Sequence, residues 1–196
     1  MRTLVIVAIL ALAVAGEAAP SKHRPAALVL LIDRSGSMQG TKLEAAKSAA
    51  LAAIDVLDAT DQVAVITLDS EAKVVVPLQA ASNRKQIAQL LAKVDAGGGT
   101  AFLPGLSAAL AALADSKAAT KHVLLFSDGE APTEGIPELI AKLRAANVTV
   151  STVGVAGADK AFLTKISDSG AGHGYFVGDL TVLSKVFARD VADALQ

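Results

Sequence analysis

The sequence predicts an α/β protein with a doubly wound, mostly parallel six-stranded sheet, one antiparallel edge strand and helices on both faces. The first observation behind this prediction is that six short apolar runs alternate with segments of helical periodicity along the chain. The second is that only a short polar turn, Asp69-Ser70-Glu71, separates the second run from the third. A parallel return needs a crossover of about a dozen residues, so these two strands form an antiparallel hairpin.

Each predicted element follows from its own pattern. The run 27–32 is continuously apolar and rich in branched residues, which is typical of a strand buried on both faces. Pro77 favours an edge position for the third strand, because proline lacks the N–H that a central strand donates. Ser82 or Asn83 is a suitable cap for the helix after the hairpin. The predicted strands are 27–32, 62–68, 73–78, 122–126, 148–155 and 174–177. The predicted helices are 41–58, a segment from 82 or 83 to 94, 103–116, 136–146, 159–168 and a terminal helix from 181.

We assign residues 27–196 to one domain, because no internal repeat, charge block or low-complexity linker divides them. Hydrophobic residues make up 53% of the 196 residues and aromatic residues only 3%, so the core is expected to be aliphatic. The net charge of −1 provides no electrostatic footprint for nucleic acid or an anionic membrane. The absence of cysteine excludes disulfides, thiolate metal sites and a cysteine nucleophile.

Residues 1–19 have the pattern of a secretory signal peptide, and residues 20–26 form a polar leader. Arg2 precedes an unbroken apolar stretch over 4–15, and the small residues that follow favour cleavage after Ala15 or Ala18. The apolar stretch is shorter than the roughly 20 residues that span a bilayer. We therefore expect export to the periplasm or secretion, and no membrane span in the mature chain. An uncleaved signal anchor is the less favoured alternative.

Oxygen-bearing side chains follow three elements at one edge of the predicted sheet. Asp33, Ser35 and Ser37 come directly after the first strand, Thr100 follows a glycine run, and Asp128 follows the fourth strand. Because the hairpin turns the third strand downwards and the next helix returns upwards, these loops meet at the edge where α/β sheets bind ligands. All five side chains offer oxygen and none offers nitrogen or sulfur. This set suits Mg²⁺, with Mn²⁺ or Ca²⁺ as alternatives.

The charge of this ligand set is low, since it contains two carboxylates and three neutral hydroxyls. Mg²⁺ takes octahedral geometry and usually keeps several waters, so at least one coordination position stays exchangeable. An under-neutralised cation at an exposed edge attracts a carboxylate from outside, and the positive end of the helix beginning at Thr41 favours the same anion. The pattern therefore predicts a metal that bridges this domain to an acidic residue of a protein partner.

The same residues resemble a known family. Asp33-x-Ser35-x-Ser37, Thr100 after a glycine run and Ser127-Asp128-Gly129 resemble the metal-ion-dependent adhesion site of von Willebrand factor type A domains, over about residues 26–190. The resemblance implies a six-stranded sheet and cation-dependent binding of protein ligands. It also implies that the two serines contact the metal directly and that Asp33 acts through water. Thr100 and Asp128 would exchange direct and water-mediated contact as affinity changes. The flanking residues look most like bacterial versions, for which no partner is implied.

Other functions remain open beside this one. A hydrolase could use the same ion, but Ser35 lacks the Gly-x-Ser-x-Gly elbow and no histidine is placed to act as its base. His122 and His173 are expected at the opposite edge, so we predict that the chain is not an enzyme. The glycine run 97–99 lacks the Gly-Lys-Ser/Thr ending of a phosphate loop. A structural domain with a vestigial metal loop is the remaining alternative.

Four residues around the same edge are candidates for a partner-binding rim, namely Arg34, Asp69, Phe102 and Glu130. Each also has a simpler explanation: charge on a hairpin tip or loop is usually solvation, and an aromatic residue at a helix start often packs into the core. The sequence carries no signal for a particular partner or oligomeric state.

Overall fold

The computed structural model describes residues 24–195, which form six strands and six α-helices with three short 3₁₀ turns. The strands are β1 (Ala26–Asp33), β2 (Gln62–Leu68), β3 (Ala72–Ala80), β4 (Thr120–Ser127), β5 (Val148–Gly154) and β6 (Ala171–Phe176). The helices are α1 (Thr41–Val56), α2 (Arg84–Leu91), α3 (Phe102–Leu113), α4 (Ile136–Ala145), α5 (Lys160–Ser169) and α6 (Leu183–Ala194).

All six strands belong to one sheet, in the order β3-β2-β1-β4-β5-β6. β3 pairs with β2 in the antiparallel sense at the edge of the sheet, and the remaining neighbours pair in parallel. The predicted fold class is therefore confirmed. From β1 the chain continues through β2 to the edge strand β3, and it later returns to the other side of β1 at β4. The loops after β1 and β4 consequently flank the switch point where such sheets bind ligands.

Strand β1 is the centre of the core, and all eight of its residues are buried. Successive side chains of a strand point to opposite faces. Leu28, Leu30 and Ile32 pack with α1, α2 and α6, whereas the alternate residues of β1 pack with α3, α4 and α5. A Cβ atom at Gly105 would lie 2.9 Å from side-chain carbons of Leu31 and Leu68, so α3 lies very close to the sheet. This packing holds the first loop on a rigid base.

Strand β6 begins at Ala171, three residues before the predicted start. A Cβ atom at Gly172 would lie 2.3 Å from the carbonyl oxygen of Val150, so the two backbones approach too closely for any other residue. The segment Ala171-Gly172-His173 has no apolar alternation, and the sequence pattern therefore did not indicate a strand there.

Helix α2 ends at Leu91 and not near residue 94, because the chain turns tightly after it. The amides of Lys93 and Val94 donate to the carbonyls of Leu90 and Leu91, at 3.2 and 3.0 Å. Asn83 precedes the helix without capping it, since its side-chain amide donates to Gln79 Oε1 at 3.0 Å.

The predicted signal peptide, its cleavage sites and residues 20–23 of the leader lie outside the described residues. None of the helices between residues 24 and 195 is both long and apolar enough to cross a bilayer.

Candidate metal centre

Asp33 is the last residue of β1, and its side chain is fully buried at the carboxyl edge of the sheet. Its Oδ1 accepts a hydrogen bond of 2.7 Å from the amide of Ser35, and its Oδ2 accepts one of 2.6 Å from the hydroxyl of Ser127. Burial raises the pKa of the Asp33 carboxyl above its ordinary value. The hydrogen bonds from Ser127 and Ser35 oppose that rise, and the nearby charge of Asp128 adds to it. A cation at this edge would favour the ionised form.

The two serines of the first loop lie next to each other and next to the loop after β4. Ser35 Oγ is 3.1 Å from Ser37 Oγ, and Ser37 Oγ donates a hydrogen bond of 2.7 Å to Asp128 Oδ1. A 3₁₀ turn over Gly36–Met38 sets this spacing, and the buried side chain of Met38 anchors the turn in the core. The structure thus brings Ser35, Ser37 and Asp128 into one contact group.

Thr100 reaches the same edge on a loop that is tied to the first one. The amide of Gly36 donates to Gly98 O at 3.0 Å, and the amide of Gly97 donates to Arg34 O at 2.7 Å. The Thr100 hydroxyl would lie 3.4 Å from a Cβ atom at Gly129, the residue after Asp128. The side-chain hydroxyl of Thr100 therefore lies beside the Asp128 loop, in agreement with the predicted convergence of three loops.

The loop after β5 packs closely against the backbone of Asp128. Gly157 has a φ of +105°, and a Cβ atom there would lie 2.5 Å from the carbonyl oxygen of Asp128. Only glycine fits this close approach without displacing the Asp128 backbone.

Lys42 also belongs to this group, although it was not among the predicted site residues. Its ammonium forms an ion pair with Asp128 Oδ2 and donates to Ala156 O at 3.3 Å. A sequence signal did exist. Lys42 lies in the first turn of α1, where the helix dipole disfavours a positive charge, and a lysine at such a position is a reason to look for a carboxylate within reach.

The chemistry of the gathered side chains fits a hard divalent cation. In the part of the chain that the structure describes, no three His, Asp or Glu side chains are grouped to hold a metal. The hydroxyls of Ser35, Ser37 and Thr100 would therefore have to complete the ligand set, as oxygen donors to Mg²⁺ do. The Lys42 ammonium compensates the charge of the buried Asp128 carboxylate, so this carboxylate already faces a positive group.

The four predicted rim residues differ in their surroundings. The prediction for Phe102 is wrong, because its side chain is 1% exposed and stacks on Phe162 with a centroid distance of 6.2 Å. Its position at the start of α3 turns the ring into the core rather than towards a partner. Arg34 forms an ion pair with Asp69 and donates to Asp95 O at 2.8 Å, so both charges are engaged within the chain. Glu130 is exposed beside the Asp128 loop.

A second polar cluster lies at the opposite edge of the sheet, where β4 begins. His122 Nε2 is 2.9 Å from Asp190 Oδ2, and His122 Nδ1 is 2.6 Å from Thr149 Oγ1. His122 and Asp190 are buried, and His173 Nδ1 lies 3.9 Å from Asp190 Oδ1. The cluster joins β4, β5, β6 and α6. Both histidines thus lie far from Ser35, as the strand directions predicted.

Comparison with known proteins matches most of the chain to one domain family. The family model of the von Willebrand factor type A domain matches residues 27–189. An uncharacterized protein of Synechocystis sp. is 41% identical over 123 residues, which are 62% of this chain and 29% of that protein. The solved von Willebrand factor type A structure from Catenulispora acidiphila has a TM-score of 0.80 at 29% identity and covers 88% of this chain and 43% of its own.

A third match is proximal thread matrix protein 1 of the mussel byssus, in a structure with a zinc-occupied MIDAS motif. Its TM-score is 0.78 at 23% identity, over 88% of this chain and 46% of the other. At this identity the match shows a shared fold. The chain spans less than half the length of each of these three proteins.

Proposed function

Because this chain belongs to the von Willebrand factor type A domain family, we propose that it is a cation-dependent protein-binding module. In this proposal an acidic residue of a partner binds the domain through a metal ion held at the carboxyl edge of the sheet. The observation that carries the proposal is the contact group of Ser35, Ser37 and Asp128. Ser35 Oγ and Ser37 Oγ lie 3.1 Å apart on the loop after β1, and Ser37 Oγ lies 2.7 Å from Asp128 Oδ1 on the loop after β4.

Five residues would hold the ion, namely Asp33, Ser35, Ser37, Thr100 and Asp128. Asp33 would act on the ion through water, because its two oxygens already accept hydrogen bonds from the Ser35 amide and the Ser127 hydroxyl. Ser35 directly precedes the 3₁₀ turn and Ser37 lies within it, and Asp128 supplies a buried negative charge. When bound, the ion would offer an open coordination position to a carboxylate oxygen of the partner.

We infer Mg²⁺ as the ion, with Mn²⁺ or Ca²⁺ as substitutes, because hydroxyl and carboxylate oxygens are hard ligands. Because the MIDAS motif of the mussel protein is occupied by zinc, Zn²⁺ must be included when ion affinities are compared. An adhesion or assembly role outside the cytoplasm agrees with the signal-peptide pattern of residues 1–19. A binding role and not catalysis agrees with the distance of His122 and His173 from Ser35.

Calorimetric titration with Mg²⁺, Mn²⁺, Ca²⁺ and Zn²⁺ tests the metal site directly. The wild-type chain should bind one ion, and the Ser35→Ala/Ser37→Ala double variant should lose that binding. A double variant that binds as tightly as the wild type would place the ion elsewhere.

The partner is tested by capture from the exported fraction of the source cells, with the double variant as the matched control. Capture should require the divalent cation and should be lost in chelator and in the double variant. Partner binding that persists in both would identify the metal loop as vestigial. Hydrolysis of a captured protein, with loss in chelator, would instead favour the enzyme alternative.

A further inference from the structure

Lys42 is placed against the expected preference of its helix. It is the second residue of α1, where the helix dipole disfavours a positive charge. Its ammonium nevertheless lies at this end, in an ion pair with Asp128 Oδ2 and 3.3 Å from Ala156 O. The lysine side chain is 29% exposed, whereas the Asp128 side chain is fully buried. The ion pair is thus open to solvent only on the lysine side.

Asp128 uses both of its carboxylate oxygens inside the chain. Oδ1 accepts the hydroxyl of Ser37, and Oδ2 accepts the ammonium of Lys42. A buried carboxylate needs a compensating positive charge, and removal of that charge is strongly destabilising. Lys42 is the cation that satisfies this need within the described chain.

A divalent cation held by Asp128 and the two serines would lie next to the same ammonium. Two neighbouring positive charges repel each other strongly in a partly buried site. The flexible lysine side chain is free to move towards solvent or towards Ala156 O, while the buried aspartate is not. Metal binding would therefore displace the Lys42 ammonium from Asp128.

We propose that the Lys42 ammonium competes with the divalent cation for Asp128. This competition sets the affinity of the metal site and its selectivity for divalent over monovalent ions. This inference rests on the proposed metal site. Exchange of the ammonium for a monovalent ion replaces one positive charge by another, so the electrostatic stabilisation of the carboxylates does not increase. Exchange for a divalent ion adds a net positive charge opposite Asp33 and Asp128. Without Lys42 the carboxylates would be open to any cation.

The test is calorimetric titration of the chain with Mg²⁺, for the wild type, Lys42→Met, Lys42→Arg and Lys85→Met. Lys85 is exposed on α2 and provides the charge-matched control. Lys42→Met should bind Mg²⁺ about tenfold more tightly than the wild type, because the competing charge is gone. Lys42→Arg and Lys85→Met should bind with nearly wild-type affinity. Sodium chloride should weaken Mg²⁺ binding more in Lys42→Met than in the wild type.

Thermal unfolding separates this role from a purely structural one. In chelator, Lys42→Met should melt at a lower temperature than the wild type, because Asp128 loses its counter-charge. In saturating Mg²⁺ that difference should vanish. If Lys42→Met does not fold, Lys42→Gln replaces it, because glutamine keeps a hydrogen-bond donor. Lys42→Gln should also melt below the wild type in chelator and at the same temperature as the wild type in saturating Mg²⁺.

Two results would overturn the inference in different ways. Equal Mg²⁺ affinity in the wild type and the uncharged Lys42 variants would refute the competition and leave the proposed function intact. If neither the wild type nor these variants binds any divalent ion, both the competition and the metal-dependent function are wrong.

Discussion

The hydroxyl of Ser37 donates a hydrogen bond of 2.7 Å to Oδ1 of Asp128, although 91 residues separate the two in the chain. This bond closes the loop after β1 against the loop after β4. Hydrogen bonds to charged groups contribute about 1.5–3 kcal/mol, with less at the exposed hydroxyl of Ser37. We expect a double-mutant cycle of Ser37→Ala and Asp128→Ala to give a coupling energy of about 1 kcal/mol in chelator. Urea unfolding of the four proteins measures this value, and additive effects would show that the bond contributes no coupling.

Asp33 should be required for stabilisation by metal. A cation that binds only the folded chain raises the free energy of unfolding by about 2.7 kcal/mol at about 100 times its Kd. Asp33→Asn keeps the size of the side chain but removes its charge, and it should abolish most of this Mg²⁺-dependent increase. Thermal melts with and without Mg²⁺ provide the measurement. A full Mg²⁺ shift in Asp33→Asn would show that the ion binds away from this carboxylate.

Thr100 should affect partner binding more than metal binding. It lies on a loop that is separate from the serine loop, and the neighbouring hydroxyls of Ser35 and Ser37 would remain to hold the proposed ion in its absence. We expect Thr100→Ala to weaken Mg²⁺ binding only slightly but to weaken partner binding at least tenfold. Titration with Mg²⁺ and then with the partner compares the two losses. Equal losses would mean that Thr100 serves only the ion.

Tyr175 should titrate at unusually high pH. Burial, followed by the charge of Asp190, raises the pKa of its hydroxyl to about 12. In the unfolded chain tyrosine titrates near its ordinary pKa of about 10. Between these values the unfolded chain holds fewer protons, so the free energy of unfolding should fall as pH rises from about 10 to about 12.

The measurement of this pKa is simple because the chain contains one tyrosine and no tryptophan. Tyrosinate absorbance in the folded protein should show a midpoint well above that of the chain in denaturant. Asp190→Asn should lower the midpoint, and Lys85→Met should leave it unchanged. A folded-state midpoint near pH 10 would contradict the effect of burial and of Asp190.

Export is testable by N-terminal sequencing of the protein from the extracytoplasmic fraction. We expect the mature chain to begin at Gly16 or Ala19, after cleavage of the signal-peptide pattern. Recovery of the chain with Met1 in the membrane fraction would identify the segment as an anchor.

The sequence by itself determined the fold and the order of its parts. Apolar runs and helical periodicities are local properties, and they predicted six strands and six helices in the observed order. The three-residue turn at Asp69 made β3 antiparallel, and this one constraint directed the loops of Asp33, Thr100 and Asp128 to one edge. The convergence of the predicted ligands was therefore accessible from spacing alone.

Only the tertiary structure decided which side chains meet across these loops. The pairing of Lys42 with Asp128, of Arg34 with Asp69 and of His122 with Asp190 joins residues 35 to 86 positions apart. Such pairs depend on the rotation of each helix about its axis and on the path of each loop, and hydrophobic periodicity specifies neither. The ring of Phe102 illustrates the same limit, since its position at a helix start allowed both an exposed and a buried orientation. Packing against Phe162 selected the buried one, because burial removes a large apolar ring from water.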